Sequence, residues 1–283
     1  MKKTILVIGG SGQISSEVIS VLKAAGYPVR TTSSQASRAG IKDGVETVHV
    51  DVTTGQGLKE AFAGAARVFL MAPGGHANQF EILAPLIREA KAQNLEKVVL
   101  MTAMGVDAVE TSPYRRAEIE LEKSGLDYVI VRPNWFLQNF HTFWIHGIKT
   151  QSKILLPAGD AKTSFVDSRD VGEVIAKVLI DDSIKNQALD LSGPESIDHH
   201  EVAAAISKES GKKVIYEEIT PETLKQGLVG AGLSRDYAEF LLAILGALKA
   251  GYNARLTPTL RELLKREPRS VRDYVRDYRS SFV

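Results

Sequence analysis

Thr4-Ile-Leu-Val-Ile-Gly9-Gly-Ser-Gly12-Gln-Ile-Ser15 is the stretch that decides how this chain folds. A β-branched apolar run ends in a glycine-rich turn, and a helical pattern follows at once, from about Gln13 to Ala25. Strand, tight turn and helix in that order open a dinucleotide-binding βαβ unit. Gly9 lets the backbone turn sharply off the strand. Gly12 carries no side chain, so a diphosphate can approach the helix start, where free N–H groups and the helix dipole favour an anion. Ser11, Gln13 and Ile14 line the same approach. The third position of the fingerprint, where close helix–strand packing favours glycine, is Ser15, which is small enough to pack. Alone, Gly9-x-x-Gly12 also suits an ordinary tight turn; its place between a strand and a helix favours the nucleotide.

Outward from this turn, strands and helices alternate. Strand-like runs occur at Tyr27–Thr32, Thr47–Val50, Arg67–Met71, Lys97–Met101 and Asp127–Val131, with helical patterns at Gly57–Phe62, Gln79–Gln93 and Pro113–Lys123. This order predicts an α/β fold, a Rossmann-type doubly wound parallel sheet with helices on both faces. Ligands of such sheets bind beyond the carboxyl ends of the strands. After the second strand, Thr31-Thr-Ser-Ser-Gln-Ala-Ser-Arg38 has no Asp or Glu to hold a ribose 2′-hydroxyl; Ser33, Ser34 and Arg38 suit a 2′-phosphate instead, so NADP(H) is favoured over NAD(H). A solvated polar loop is the alternative. Asp51 and Val52 follow the third strand, placed either to meet an adenine or, for Asp51, to cap a helix further along. Met71, Ala72 and Pro73 follow the fourth, where small residues let backbone approach the riboses. Thr102, Ala103 and Met104 follow the fifth, at nicotinamide depth, and Arg132-Pro-Asn-Trp-Phe-Leu-Gln-Asn-Phe140 follows the sixth.

The bulk numbers exclude several classes. The chain has 283 residues, 44% hydrophobic and 24% charged, with a net charge of +1, which gives no bulk electrostatic case for nucleic acid or an anionic membrane. It has no cysteine, hence no disulfide, no thiolate catalysis and no Cys-ligated metal. After Lys2-Lys3 the apolar run is too short for a signal peptide, no run is long enough to span a membrane, and a cytoplasmic location is expected. His199-His200 with Glu201 does not make a metal site; they open a helix capped by Asp198, and no metal is expected. Interspersed signs from Arg266 to Arg279 predict a salt-bridged surface helix rather than a nucleic-acid arm.

The chain resembles the NmrA-like group of atypical short-chain dehydrogenases/reductases. The resemblance rests on Gly9-x-x-Gly12, on Ala117-Glu118 leading to Ser124-Gly-Leu-Asp-Tyr-Val-Ile-Val-Arg-Pro133, on Asn134–Phe140, on Ser164-Phe-Val-Asp-Ser-Arg-Asp-Val-Gly-Glu173 and on the ending from Glu267. That group includes NAD(P)H:quinone oxidoreductases, azo- and triphenylmethane-dye reductases and redox-sensing regulators. The resemblance implies a nucleotide-binding domain over 1–134 and 163–192, and a smaller, mostly helical substrate domain over 135–162 and 193–283. It implies that Pro133, Asn134, Trp135 and Phe136 lie along the nicotinamide and form one wall of the substrate site. It also exposes a departure: the parent superfamily uses Tyr-x-x-x-Lys, whereas Tyr114 here is followed by Glu118. Tyr114 is the one weak candidate for a proton donor, and a packed tyrosine at a helix start is the alternative.

Without that pair, a quinone, azo or dye acceptor remains possible, since it can take hydride without a strong protein acid. Such acceptors are flat and apolar, and the aromatic run holding Trp135, Phe136, Phe140 and Trp144 supplies a matching wall, with Met104 beside it. The same run also suits an amphipathic helix that buries its aromatics. The chemistry predicted is therefore hydride transfer from NADP(H) to a small aromatic substrate by a monomer or homodimer. The alternatives are a NAD(P)-sensing regulator without catalysis, or a tailoring enzyme of secondary metabolism.

Overall fold

A computed structural model describes residues 2–283. In chain order the elements are β1 (Ile5–Val7), α1 (Gln13–Ala24), β2 (Val29–Ser33), β3 (Gly40–Lys42), β4 (Val45–His49), α2 (Leu58–Phe62), β5 (Arg67–Leu70) and α3 (Gln79–Ala92). There follow β6 (Lys97–Met101), α4 (Pro113–Glu122), β7 (Asp127–Pro133), α5 (Ile145–Gln151), β8 (Lys153–Leu156), α6 (Ser168–Ile180) and β9 (Gln187–Leu191). The chain ends with α7 (His199–Ser210), β10 (Ile215–Glu218), α8 (Pro221–Gly230), α9 (Arg235–Lys249), α10 (Thr259–Leu264) and α11 (Val271–Asp277). Among the described residues no helix is long and apolar enough to cross a membrane.

Eight strands form the main sheet in the order β3-β4-β2-β1-β5-β6-β7-β9. Every pairing from β4 through β7 is parallel, and β1 runs between β2 and β5, where the order reverses. That reversal is the crevice a doubly wound sheet offers to a ligand. The expected strands and helices of this region are all present, with ends shifted by one or two residues. The edge strand β3 was not expected. It pairs antiparallel with β4 across Asp43-Gly44, both at positive φ, 51° and 77°. An Asp-Gly pair of this kind is the turn that closes a two-residue hairpin.

The chain divides into two compact units, one running up to Pro133 together with Val171–Asp190, the other made of Asn134–Asp170 and Leu191–Val283. In the first, Leu6, Val68, Leu70, Val98, Leu100 and Ile130 of the sheet pack with Leu83, Leu86 and Ile87 of α3 and Leu121 of α4. At the far end from the ligand crevice, Arg67 Nη1 and Lys97 Nζ donate to the carbonyls of Leu179 and Asp181, both at 2.7 Å, so two cations serve the C-terminus of α6.

The second unit is helical with a small parallel sheet of β8 and β10, a pairing that hydrophobic patterning did not suggest. Its core holds Phe140, Ile154, Leu156, Phe165, Val202, Ile206, Leu248, Tyr274 and Phe282. Residues 163–170, expected with the nucleotide domain, fall within this second unit. Thr163 bridges to Ile197, Phe165 lies in this second core, and Ser164 Oγ donates to Arg255 O at 2.7 Å. Two buried carboxylates tie the same segment down. Asp167 Oδ1 accepts from Gln138 Nε2 at 2.8 Å, and Asp170 accepts from Arg266 Nη2 at 2.8 Å and from the backbone and guanidinium of Arg269. The Arg-rich ending is accordingly not a purely surface helix. Val271, Tyr274 and Val275 of α11 are buried, while Arg272 and Arg276 on its outer face pair with Glu209 and Asp273.

Candidate functional site

The first unit presents the glycine turn where β1 ends. Gly9 has a φ of 71°, a conformation that favours glycine. The turn is braced from β2: Gly9 N donates to Thr32 Oγ1 at 2.9 Å, Gly10 N donates to Thr32 O at 3.1 Å, and Thr31 Oγ1 donates to Val7 O at 2.8 Å. A Cβ on Gly10 would stand 2.1 Å from Thr31 Oγ1, so the turn has no room for a side chain there. Ser15 is wholly buried, and its Oγ donates to Ile8 O at 2.9 Å. The hydroxyl that replaces the third glycine thus satisfies a strand carbonyl at the helix–strand crossing.

α1 begins after Gly12, and no side chain caps it. The N–H groups of its first turn, carried by Gln13, Ile14 and Ser15, open a helix of 12 residues that has no side-chain cap among the described residues. Ser11 and Gln13 are exposed beside them, while the Ile14 side chain is buried and only its backbone is available. These residues fit a nicotinamide dinucleotide: a glycine-lined approach, an uncapped helix N-terminus and a sheet whose order reverses at that strand. Sequence inspection missed Thr31 and Thr32 as braces, and it missed Gly172 on α6. A Cβ at Gly172 would lie 2.5 Å from the Glu17 Cβ, so α6 crosses α1 at backbone contact.

The loops after the neighbouring strands are formed as follows. Ser33 Oγ accepts from Gln35 N at 3.1 Å; Ser34 and Arg38 are exposed, and Arg38 closes a single 3-10 turn over Ala36–Arg38. Asp51 is half-buried. Its Oδ1 accepts from Thr53 N at 2.9 Å, Thr53 Oγ1 at 2.5 Å and Thr54 N at 3.3 Å, which makes a local turn rather than a helix cap, since α2 is capped by Gly57. The Thr53 hydroxyl, more than any other group, holds the Asp51 carboxyl down to about 2. Val52 beside it is half-buried and packs on the core. Met71 is half-buried with Sδ 3.4 Å from the Ser15 hydroxyl, Ala72 is buried and Pro73 is exposed. Thr102 is buried, while Ala103 and Met104 are half-buried, and Met104 N donates to Pro133 O at 3.0 Å.

Tyr114 is half-buried and packs against the core of the first unit. The group four residues on, Glu118, is wholly buried and salt-bridged to Arg132 and Arg115 at 2.7 and 2.9 Å. An anion held by two guanidiniums cannot lower the pKa of a neighbouring phenol as a lysine would. Arg115 is largely buried by its pairing with Glu118 and Glu122, because the helix turns it onto two carboxylates at i+3 and i+7. Arg116 lies over the Phe80 ring at 4.0 Å.

Two residues of the aromatic run are held firmly in the second unit. The carboxamide of Asn134, a residue expected along the nicotinamide, is fully committed. Nδ2 donates to Ser164 Oγ at 2.7 Å and Asn253 O at 2.9 Å, while Oδ1 accepts from Trp135 N at 2.9 Å and Asn253 Nδ2 at 3.0 Å. Its role is to fix the backbone of Trp135. Phe140 was expected in a substrate wall, but it is wholly buried, packed edge-on against Trp144, Phe165 and His199 at 5.0, 5.4 and 6.0 Å. A ring enclosed on these sides is core and offers no face to a ligand. Trp135, Phe136 and Trp144 are half-buried, with the two indoles 5.9 Å apart. His141 belongs to a separate stack, with Nδ1 2.7 Å from Tyr274 Oη and the ring 4.4 Å from that of Tyr278.

His199 opens α7 after the Asp198 cap, as expected, but it is wholly buried, and neither ring nitrogen has a hydrogen-bond partner among the described residues. Burial holds the imidazole down to about 4 from its ordinary 6.5. It is neutral in the fold, and the unfolded chain binds the extra proton below pH 6.5. Stability therefore falls as pH drops from about 6.5 towards 4, by up to about 3 kcal/mol from this group. His199→Phe fills the aromatic surroundings without the orphaned nitrogens. It is expected to keep its urea midpoint, followed by circular dichroism, more nearly constant between pH 7 and pH 4.5 than the wild type does. Parallel pH dependence in the two proteins would assign the acid sensitivity elsewhere.

Comparison with known proteins places these features. Residues 1–275 match the model of the NmrA-like family. The NAD(P)H azoreductase of Xenophilus azovorans is 29% identical over 286 residues, covering 98% of this chain and 99% of that one. Among solved structures, the triphenylmethane reductase of Citrobacter sp. complexed with NADP(H) has a TM-score of 0.84 at 21% identity, covering 97% of this chain and 99% of that one. The NADPH-dependent quinone oxidoreductase of Escherichia coli complexed with NADPH has a TM-score of 0.82 at 21% identity, with coverages of 97% and 99%.

Proposed function

The chain belongs to the NmrA-like family, and we propose that it is an NAD(P)H-dependent oxidoreductase that passes hydride to a quinone-like or dye-like aromatic acceptor. The observation that carries the nucleotide half is the braced glycine turn in front of the uncapped N-terminus of α1. The likeness to an azoreductase along nearly the whole chain supports the acceptor class. Ser11, Gln13 and Ile14 would hold the diphosphate through backbone N–H groups, while Gly9, whose N–H is held by Thr32, and Gly12, whose N–H is held by Gly9, would shape the turn and leave room for the approach. Asp51 and Val52 would meet the adenine, with Met71, Ala72 and Pro73 along the riboses and Thr102 and Ala103 along the nicotinamide. In the second unit Trp135, Phe136 and Trp144 would offer aromatic faces to a flat acceptor, and in the first unit Met104 would lie at the acceptor end of the nicotinamide.

A bound reduced nicotinamide supplies the hydride. The protein's part is to orient it, and no side chain is assigned as the acid: Glu118 is locked in ion pairs, so the proton that completes reduction of the acceptor comes from water. NADPH is favoured over NADH because the loop after β2 offers the hydroxyls of Ser33 and Ser34 and the exposed Arg38, with no carboxylate to repel a 2′-phosphate.

The test is consumption of NADPH and NADH by the pure protein, with and without a soluble naphthoquinone, for the wild type and Arg38→Ala. Acceptor-dependent NADPH oxidation is expected. The Arg38→Ala variant should lose about tenfold in kcat/KM for NADPH and stay within about twofold for NADH, as loss of one charge-assisted contact predicts. Equal effects on the two nucleotides would remove Arg38 from the 2′-phosphate. Tight binding of nucleotide without turnover, across several aromatic acceptors, would make the protein a nucleotide sensor.

A further inference from the structure

Glu118 joins the carboxyl ends of two strands in the first unit. Its Oε1 accepts from Thr102 Oγ1 at 2.7 Å and from Arg132 Nε at 2.8 Å; its Oε2 accepts from Arg132 Nη2 at 2.7 Å and from Arg115 Nη1 at 2.9 Å. Thr102 directly follows β6, and Arg132 stands near the end of β7. Arg132 continues outward, with Nη1 donating to Asp107 Oδ2 at 2.8 Å. The backbone adds two ties, Thr102 N to Val131 O and Met104 N to Pro133 O, each at 3.0 Å. The loop from Thr102 to Asp107 is therefore fastened at both ends to one buried carboxylate, directly at Thr102 and through Arg132 at Asp107.

A well-packed apolar group of similar volume would hold two strand ends together at least as well as a buried ion pair does. What the carboxylate adds is direction. A guanidinium and a carboxylate meeting in two parallel hydrogen bonds fix each other's plane, and the remaining lone pair on Oε1 fixes the Thr102 hydroxyl. That hydroxyl donates its hydrogen bond to Glu118, so its oxygen remains only as an acceptor.

We propose that Glu118 is a positioning residue of the reaction, which sets the Thr102–Met104 loop at the height and orientation that seat the nicotinamide half of the nucleotide. The proposal rests on the nucleotide assignment made above. It gives the carboxylate at the fourth place after Tyr114 a task other than acid–base chemistry: it acts on the loop and never on the substrate.

Thr102→Val tests it, because the substitution removes one hydrogen bond and leaves both arginines on Glu118. The two probes are NADPH and 2′-phospho-ADP-ribose, which is NADPH without its nicotinamide, each titrated calorimetrically. The variant should bind 2′-phospho-ADP-ribose within about twofold of the wild type while NADPH weakens about tenfold, the effect of losing one hydrogen bond to a charged group. Thr102→Ser, which restores the hydroxyl, should recover NADPH affinity. Thr102→Ala removes the same hydroxyl with a smaller side chain and replaces the valine variant should that one fail to fold. Equal loss on both probes, no loss on either, or failure of Thr102→Ser to recover the affinity would overturn the proposal and leave Glu118 a purely structural group. A wild-type protein that binds neither probe would instead overturn the nucleotide assignment, and the proposal with it.

Discussion

Gly12→Val is expected to weaken NADPH binding by about a hundredfold or more while the protein stays folded. Gly12 has φ −72° and ψ 152°, extended backbone that any residue adopts, so valine brings no backbone strain. Its Cβ would lie 3.2 Å from Gly9 O, a close contact that a small shift relieves. The two methyl groups then cover the first turn of α1, where the open N–H groups are. Two charge-assisted hydrogen bonds to a diphosphate are worth about 3 kcal/mol or more together, which is the hundredfold. Calorimetric titration with NADPH and a thermal melt on the same sample check the result. NADPH affinity within about threefold of the wild type would move the diphosphate away from this turn.

Phe140→Ala should cost about 3–5 kcal/mol of stability, the range for deleting a fully buried aromatic ring. Phe140 is among the largest wholly buried side chains of the molecule, and three rings that pack edge-on against it would face the cavity left behind. A residue lining a substrate wall behaves differently: its loss lowers kcat/KM and leaves the urea midpoint near that of the wild type. A fall in midpoint in proportion to the lost stability places Phe140 in the core. An unchanged midpoint with lowered activity would return it to the substrate.

Periodicity made the first unit legible. β-branched runs alternate there with amphipathic helices, and β6 begins and ends where the sequence said it would, because its run from Lys97 to Met101 is buried throughout. What short-range patterning could not show was partnership. Glu118 reads as a surface charge on a helix, and only the fold brings Arg132, 14 residues away, into two bonds with it. Asn134 follows the same logic: the group that saturates it, Asn253, is 119 residues further along the chain. β3 has a local signal, the Asp43-Gly44 pair that favours a two-residue hairpin. β8 and β10 had almost none, since each is only four residues long. In the aromatic run, a helical or pocket-lining phenylalanine has the same letter as a core one. Phe140 is separated from Trp135 and Phe136 only by which rings close around it.

The protein has two tryptophans, Trp135 and Trp144, and both lie in the unit formed by Asn134–Asp170 and Leu191–Val283. Indole emission therefore reports from the second unit. Circular dichroism in the peptide region sees both units, since helices and strands are distributed over each. Denaturation curves that coincide by emission and by circular dichroism would identify one cooperative transition, and curves that separate would assign the emission midpoint to the second unit alone. With the indoles 5.9 Å apart and Trp144 6.4 Å from the His199 ring, the near-ultraviolet spectrum is a built-in gauge of how tightly that unit's interior is packed.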